Sequence, residues 1–395
     1  MIATDSALKE YCATLRERPS FALDMEFQRE RTYYARLYLI QIAAPKEGGD
    51  ELTLIDPIGA RNLQPLFELV ADPSIETIVH AGSQDMEIVY QMSGLLPRNV
   101  FDTQIGGALV GYGDQPGYAT LVEKILNVRL SKLETITDWS RRPLTDGQVH
   151  YALDDVRYLH ALRNTIGERL AHHGRESWAL EEMEHYGERT NYERDPSRLY
   201  LRIGRIRSLN RRGLAILREL AAWREEEAIR RDEPRGRVVS DEILVEAARR
   251  APTKPADLQI LRGLHPSELR RSGGAIVEVV SRALAIPETE WPDPPIIRAE
   301  DPELSLTVDL LEVFLRSRAR EADIGPSYLG SRHDLAELID AIRSDAPDGG
   351  ANGETPLLLT GWRRELVGDD LVAIATGRVN LQVDPESGRV TTSNR

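Results

Sequence analysis

Asp24 and Glu26 stand two residues apart in Phe21-Ala22-Leu23-Asp24-Met25-Glu26-Phe27, a run whose other five residues are apolar. A short run rich in apolar and aromatic residues reads as a buried strand, and on a strand residues i and i+2 share a face. Two carboxylates side by side repel, and burying them is costly unless something positive lies between them. A divalent cation meets that need. A strand edge with both acids in water, or the paired carboxylates of a glycosidase, are the other readings of this stretch alone. Further along, Asp85 follows the turn Ala81-Gly82-Ser83, and Asp155 comes four residues after Tyr151. Four carboxylates from three segments, with one phenol, suit hard divalent cations such as Mg²⁺ or Mn²⁺ and disfavour a glycosidase. Two such ions can hold both the attacking and the leaving oxygen of a phosphodiester displacement. Tyr151 could orient the attacking water, since a phenol with an ordinary pKa near 10 is a poor base.

These side chains need elements to hold them. Over residues 1–175 strand and helix signals alternate. The first strand, Ala35–Ala43, and Glu51–Asp56 ended by Pro57 suggest an antiparallel meander. Leu63, Leu66, Phe67 and Val70 mark a helix face. The short strand Thr77–His80 breaks at Ala81-Gly82-Ser83, and the helix Ser83–Ser93 then carries Asp85. Val100–Thr103 reads as another strand feeding a helix. Thr145–Arg169 reads as one long helix with Thr145 as N-cap and Val149, Leu153, Val156 and Leu159 at helical spacing. Tyr151 and Asp155 then share a face, while Asp154, about 100° around the helix, turns to solvent. Strands interleaved with helices imply a mixed α/β sheet with helices packed on it.

Residues 176–200 read as a polar connector. An all-α block follows, with Leu214, Leu217, Leu220 and Ala221 striping a helix that ends near Arg231. Asp241–Arg250, with Ser240 as N-cap, Ala256–Leu261 and Ser267–Leu284 supply the other helices. Five prolines in residues 286–302 mark a semi-rigid linker. A last block reads as helices over Ser305–Glu321, Asp334–Ile342, Gly361–Gly368 and beyond Asp369, with a loop over 345–353 and a short strand at Val379–Val383.

The net charge of −14 hides a pattern. Residues 201–285 carry 18 Lys and Arg against 12 Asp and Glu, a net of +6, whereas the segments on either side are each −10. A basic block in an acidic chain is a candidate contact for phosphate backbone, or else a set of solvated Arg/Glu helices. The single cysteine, Cys12, excludes an intramolecular disulfide and a cysteine zinc site and fits a reducing compartment. The polar, mixed start has no apolar core of a signal peptide, and no run reaches the length of a membrane span.

Taken together, Asp24-Met25-Glu26, then His80-Ala81-Gly82-Ser83-Gln84-Asp85 with Phe101-Asp102-Thr103, then Tyr151-Ala152-Leu153-Asp154-Asp155-Val156, resemble the three exonuclease motifs of the DEDD superfamily in its tyrosine-containing form. Position 25 is Met where that family usually has Thr, but this residue points away from the two acids. Leu214, Leu217, Trp223-Arg224, Ala228, Pro234, Leu244, Pro252 and Ile260-Leu261-Arg262-Gly263-Leu264 are similar to the HRDC (helicase and RNase D C-terminal) domain. An exonuclease of this type followed by that domain resembles the ribonuclease D family. The resemblance implies an α/β, ribonuclease H-like exonuclease domain over 1–190, its mixed sheet flanked by helices. Two small all-α domains follow, an HRDC domain over 201–285 and a diverged second copy over 303–395.

It also implies a cytoplasmic 3′-5′ exoribonuclease acting on tRNA precursors or other structured RNA with a 3′ extension, by two-metal hydrolysis that releases nucleoside 5′-monophosphates. No membrane and no obligate protein partner are expected. Asp24, Glu26 and Asp155 would hold one Mg²⁺ or Mn²⁺, Asp24 would bridge to the second, Asp85 would meet the second directly or through water, and Tyr151 would place the attacking water. His80 and Gln84 border the site as candidate RNA contacts, and Asp102 is expected either to support the ligands from behind or to be structural. Trp223 falls on the apolar stripe and reads as core. Arg202, Arg205, Arg207, Arg211 and Arg212 are the candidates for RNA phosphates. A DNA exonuclease on the same fold and a non-catalytic RNA-binding adaptor are the alternatives, and retention of all four acids and the tyrosine weighs against the adaptor.

Overall fold

The strand that carries Asp24 and Glu26 is β1, Ser20–Gln28, in the middle of a five-stranded sheet. The computed structural model describes residues 1–130, 137–261, 263–294, 302–343 and 355–394. The expected loop over 345–353 and the linker residues 295–301 lie outside them. The chain divides into two units, one of residues 1–26, 38–188 and 300–395, the other of residues 27–37 and 189–299.

In the first unit, a helix α1 (Asp5–Leu15) precedes β1. It is followed by β2 (Arg36–Lys46), β3 (Gly49–Ile55), α2 (Gln64–Val70), β4 (Glu76–Val79), α3 (Ser83–Ser93), β5 (Val100–Asp102) and α4 (Thr103–Leu109). Strand order is β3-β2-β1-β4-β5. β2 and β3 are antiparallel, while β1, β4 and β5 run parallel, with Ala22 opposite Ile78 and Val79 opposite Asp102. Continuing that register puts Asp24 level with His80, one step past the end of β4. The acids thus emerge at the carboxyl ends of parallel strands, where α/β sheets open their ligand crevices.

One face of the sheet, through Ala22, Ala43 and Ile78, is covered by Val156 and Leu159. These lie on α6 (Asp146–Arg157) and α7 (Leu159–His173), which follow α5 (Tyr118–Leu126). Leu39 and Leu54 pack against Ala152 of α6 in the same way. Thr145 caps α6 as its sequence predicts. Its hydroxyl accepts from the Gln148 N–H at 3.2 Å, and its own N–H donates to the Gln148 side chain at 2.9 Å. Such a box stabilises a helix start by about 1 kcal/mol. The single long helix expected here is instead two, interrupted at Tyr158, whose ψ is 0°. The segment after 175, read as a connector, begins with the helix α8 (Glu176–Glu184).

The second unit is built on α9 (Arg211–Arg231), with α10 (Arg235–Val238), α11 (Asp241–Arg250) and α12 (Pro266–Ala285). Its core joins Leu214, Leu217, Leu220, Trp223, Leu244, Ile276 and Val280, so Trp223 is core as expected. Ser240 stands at the N-cap of α11, though its side chain makes no capping hydrogen bond. The connection between β1 and β2 belongs to this unit. The backbone N–H groups of Tyr33 and Tyr34 both donate to Asp232, and the Arg235 guanidinium lies 5.0 Å over the Tyr33 ring.

The C-terminal block packs into the first unit. It holds α13 (Pro302–Glu321), α14 (Pro326–Leu329), α15 (Arg332–Arg343), α16 (Gly361–Arg363) and α17 (Asp369–Ala375). The expected strand at Val379–Val383 is present as β6, and it pairs antiparallel with β7 (Val390–Asn394).

Candidate active site

β1 and α6 bring three acids to one point. Carboxylate oxygens of Asp24, Glu26 and Asp155 lie within 4.8 Å of one another, each side chain partly exposed. Asp24 and Glu26 meet because the strand period is 2. Asp155 and Tyr151 meet because they are one helical turn apart. Trp139 flanks the Tyr151 ring, with centroids 6.2 Å apart. The loop before α6 is fixed by Arg142, which donates from Nε to Asp56 at 2.8 Å and from Nη2 to the Tyr38 carbonyl at 2.6 Å.

Among the described residues no Lys or Arg side chain pairs with the three acids, and their pKa values rise accordingly. Burial pushes Asp24 up to about 7. Burial and then the Asp24 charge push Glu26 up to about 8. Burial, then Asp24, Glu26 and Asp154, push Asp155 up to about 9. Burial, then Asp155, Glu26 and Asp24, hold the Tyr151 phenol well above its usual range. An all-oxygen donor set crowded with negative charge is one that Mg²⁺ or Mn²⁺ fits. Tyr151 there keeps its proton and is suited to hydrogen bonding rather than to proton abstraction.

Asp85 stands apart from this trio of oxygens, 6% exposed in the first turn of α3. The turn before it is unusual. Ala81 has φ +54°, a conformation disfavoured for a residue with a Cβ. A Cβ on Gly82 would sit 2.6 Å from the Val79 side chain. Both are held by Asp102, which accepts the Ala81 N–H at 3.0 Å and the Gly82 N–H at 3.1 Å. The structural role expected for Asp102 is therefore a definite one. It anchors the turn that presents Asp85.

The remaining candidates separate. His80 is tied through Nδ1 to the Thr103 hydroxyl at 2.9 Å and packs on Tyr118. Burial lowers its pKa. Gln84 is exposed. Asp154 does not turn freely to solvent as expected: its side chain is 18% exposed and is held by Arg157 and His150. Arg202, Arg205 and Arg212 are exposed, whereas Arg211 bonds Asp293 and the Trp291 carbonyl. The Arg207 side chain lies outside the described residues. Sequence reading missed Tyr118, whose hydroxyl enters the α6–α7 junction, and Tyr186, which donates to Asp102 at 2.6 Å. Neither lies in a motif, and both reach their targets across long sequence separations.

Residues 1–171 match the 3′-5′ exonuclease domain family, and residues 213–280 match the HRDC domain family. The chain is 35% identical over 396 residues to a ribonuclease D of Granulibacter bethesdensis, spanning 100% of this chain and 96% of that protein. It is 37% identical over 383 residues to a ribonuclease D of a Jannaschia species, spanning 96% of each. Among solved structures, Escherichia coli RNase D, an exoribonuclease involved in structured RNA processing, superposes with a TM-score of 0.84 at 34% identity, covering 95% of this chain and 98% of that one.

Proposed function

The chain belongs to the ribonuclease D family of 3′-5′ exoribonucleases, and from that premise we propose that it trims the 3′ ends of tRNA precursors or similar structured RNA in the cytoplasm, by two-metal phosphodiester hydrolysis at Asp24, Glu26, Asp85 and Asp155. The observation that carries the reading is the meeting of Asp24, Glu26 and Asp155, with no basic partner among the described residues, at the carboxyl end of parallel strands. Divalent ions held there would supply Lewis-acid activation of water and neutralisation of the leaving 3′-oxygen. Asp24 would serve both ions, Glu26 and Asp155 one of them, and Asp85 the other. Tyr151, with its proton retained, would donate or accept a hydrogen bond that aims the attacking water along the scissile bond. Among the described residues no helix is long and apolar enough to cross a membrane.

The reading is tested by giving the purified chain a 3′-extended tRNA and a DNA strand of the same sequence, each with Mg²⁺, Mn²⁺ or EDTA. The expected result is stepwise loss of 3′ nucleotides from the RNA as 5′-monophosphates, abolished by EDTA. Preferential digestion of the DNA would move the assignment to a DNA exonuclease. Tight RNA binding without hydrolysis under any metal would move it to an adaptor.

A further inference from the structure

Asp102 is 1% exposed and receives four hydrogen bonds. Three come from backbone: Ala81 at 3.0 Å, Gly82 at 3.1 Å and Gln104 at 2.8 Å. The fourth comes from the Tyr186 hydroxyl at 2.6 Å, which also lies 3.5 Å from the Ser83 hydroxyl. A buried carboxylate keeps a fixed orientation only while its partners do. Asp102 controls the Ala81–Gly82 turn, so whatever fixes Tyr186 bears on where α3 begins and where Asp85 points.

Tyr186 follows directly on α8, and α8 is gripped by the C-terminal block. Glu182 accepts from Trp362 Nε1 at 2.9 Å and from Arg363 Nη2 at 2.9 Å. Trp178 stacks on Trp362, with centroids 4.8 Å apart and planes 16° apart. Arg363 is 6% exposed and donates from Nε to the Tyr328 carbonyl at 2.8 Å. Just before α8, Arg175 donates from Nη2 to the Ala322 carbonyl at 2.6 Å and from Nη1 to the Leu109 carbonyl at 2.8 Å. The Gly325 N–H reaches the Ala108 carbonyl at 3.0 Å. The block thus holds both α8 and the end of α4, the helix that Asp102 caps.

We infer that the C-terminal block braces the acid assigned to the second ion: Trp362 and Arg363 fix α8, α8 fixes Tyr186 against Asp102, and Asp102 fixes the turn that presents Asp85. Tyr186 and Arg363 are then positioning residues that act through other groups. The inference rests on the reading of Asp85 as a metal-holding acid. It gives residues 302–343 and 355–394 a task at the active site, because removing the brace loosens a metal site even for a substrate too short to touch the block.

The test uses the full chain and Mn²⁺ alone, with bound ion counted by electron paramagnetic resonance in the absence of RNA. Tyr186→Phe removes one hydroxyl and keeps the ring against His185. Arg363→Ala removes the grip, and Asp85→Asn is the reference. Melting temperature and the steady-state constants for a short RNA oligomer are read in parallel. The expected result is that Asp85→Asn abolishes the weaker Mn²⁺ site. Tyr186→Phe should weaken that site about fivefold, lower kcat at limiting metal and leave KM for the oligomer unchanged. Arg363→Ala should do the same if it folds, and Tyr186→Phe carries the test if it does not. An effect of Asp85→Asn with Mn²⁺ binding unaltered in Tyr186→Phe overturns the brace and leaves the site assignment standing. Unaltered Mn²⁺ binding in Asp85→Asn removes the assignment of Asp85, and the brace with it.

Discussion

The Tyr118 hydroxyl stands inside the backbone ladder of the helix that carries Asp155, an acid of the proposed active site, accepting the Tyr158 N–H at 3.2 Å and donating to the Asp154 carbonyl at 2.7 Å. A straight helix would join those two backbone groups directly. With a hydroxyl between them the ladder opens, and one continuous apolar stripe becomes α6 and α7. The break falls three residues after Asp155. Insertion of a side chain into the ladder is a recognised cause of helix kinks. Here the wedge comes from α5, and its ring also lies 5.6 Å from that of His80.

Tyr118→Phe should therefore change catalysis more than stability. Without the hydroxyl, Tyr158 and Asp154 can close their own hydrogen bond, so the net loss is about 1 kcal/mol. Closure straightens the junction and moves Asp155 and Tyr151 relative to β1. Small misplacements of reacting groups are costly. The expected outcome is a drop in kcat of about tenfold, with little change in KM, measured on a labelled oligomer at saturating Mn²⁺. Unchanged kcat would show that the junction tolerates either geometry.

Asp24 should be the acid least replaceable for turnover, yet its carboxyl, like those of Glu26 and Asp155, costs stability when no ion is bound. Asp24→Asn and Asp155→Asn should each lower kcat by more than about 100-fold, since each removes a proposed direct ligand where even outer partners cost 10–100-fold. Glu26→Gln should be milder than Asp24→Asn. In EDTA the effect on stability has the opposite sign, because the folded chain must hold a proton on each raised carboxyl that the unfolded chain has released. The melting temperature of Asp24→Asn should rise above that of the parent chain, by an amount equivalent to at least about 1 kcal/mol. Calorimetry with and without Mn²⁺ checks both halves.

The same crowding sets a pH dependence. Asp24 at about 7, Glu26 at about 8 and Asp155 at about 9 all exceed the values of an unfolded chain, roughly 4. Between those limits the folded metal-free protein holds protons that the unfolded chain has released. Its stability therefore falls as pH rises from about 4 toward 9. A cation replaces those protons, so its benefit grows over the same range. The gap in melting temperature between Mn²⁺ and EDTA should widen steadily from pH 6 to pH 9. A constant gap would mean that the acids are already ionised at pH 6.

What the sequence could reveal was decided by range. Asp24 and Glu26 were legible because a strand's period is local, and so were Tyr151 and Asp155 because a helix's is. The bounds of α3 and α11, and the ends of α9 and α13, were read from turn and capping residues and apolar spacing for the same reason. The break at Tyr158 was not legible, because the apolar stripe continues through it and the cause sits 40 residues earlier at Tyr118. The anchoring of Asp85 depends on Tyr186, 84 residues after Asp102. Residues 176–200 look polar and connector-like because Glu182 faces Arg363, 181 residues on, and not because the segment is loose. Composition also overstated the basic surface of residues 201–285, since it cannot distinguish an arginine consumed by packing from one in water.

That distinction yields a last pair of outcomes. Arg231 has a side chain only 2% exposed, spanning Glu227 at 2.7 Å, Glu268 at 2.9 Å and the Ser272 hydroxyl at 2.6 Å. Removing it takes one cationic partner from each of two half-buried carboxylates, of which Glu227 keeps Arg230 and Glu268 keeps the Ser272 hydroxyl, a loss of about 1–3 kcal/mol. Arg231→Ala should accordingly lower the melting temperature sharply while the fraction that remains folded binds RNA normally. Arg202, Arg205 and Arg212 lie in water, and their replacement costs little stability. If they meet phosphates, each alanine should weaken binding to a structured RNA and reduce the slope of log affinity against log salt by about 0.7–1. Fluorescence anisotropy across a salt series, beside a melting curve, separates the two classes. An unchanged slope in the triple variant would return the basic block to the status of a solvated helical face.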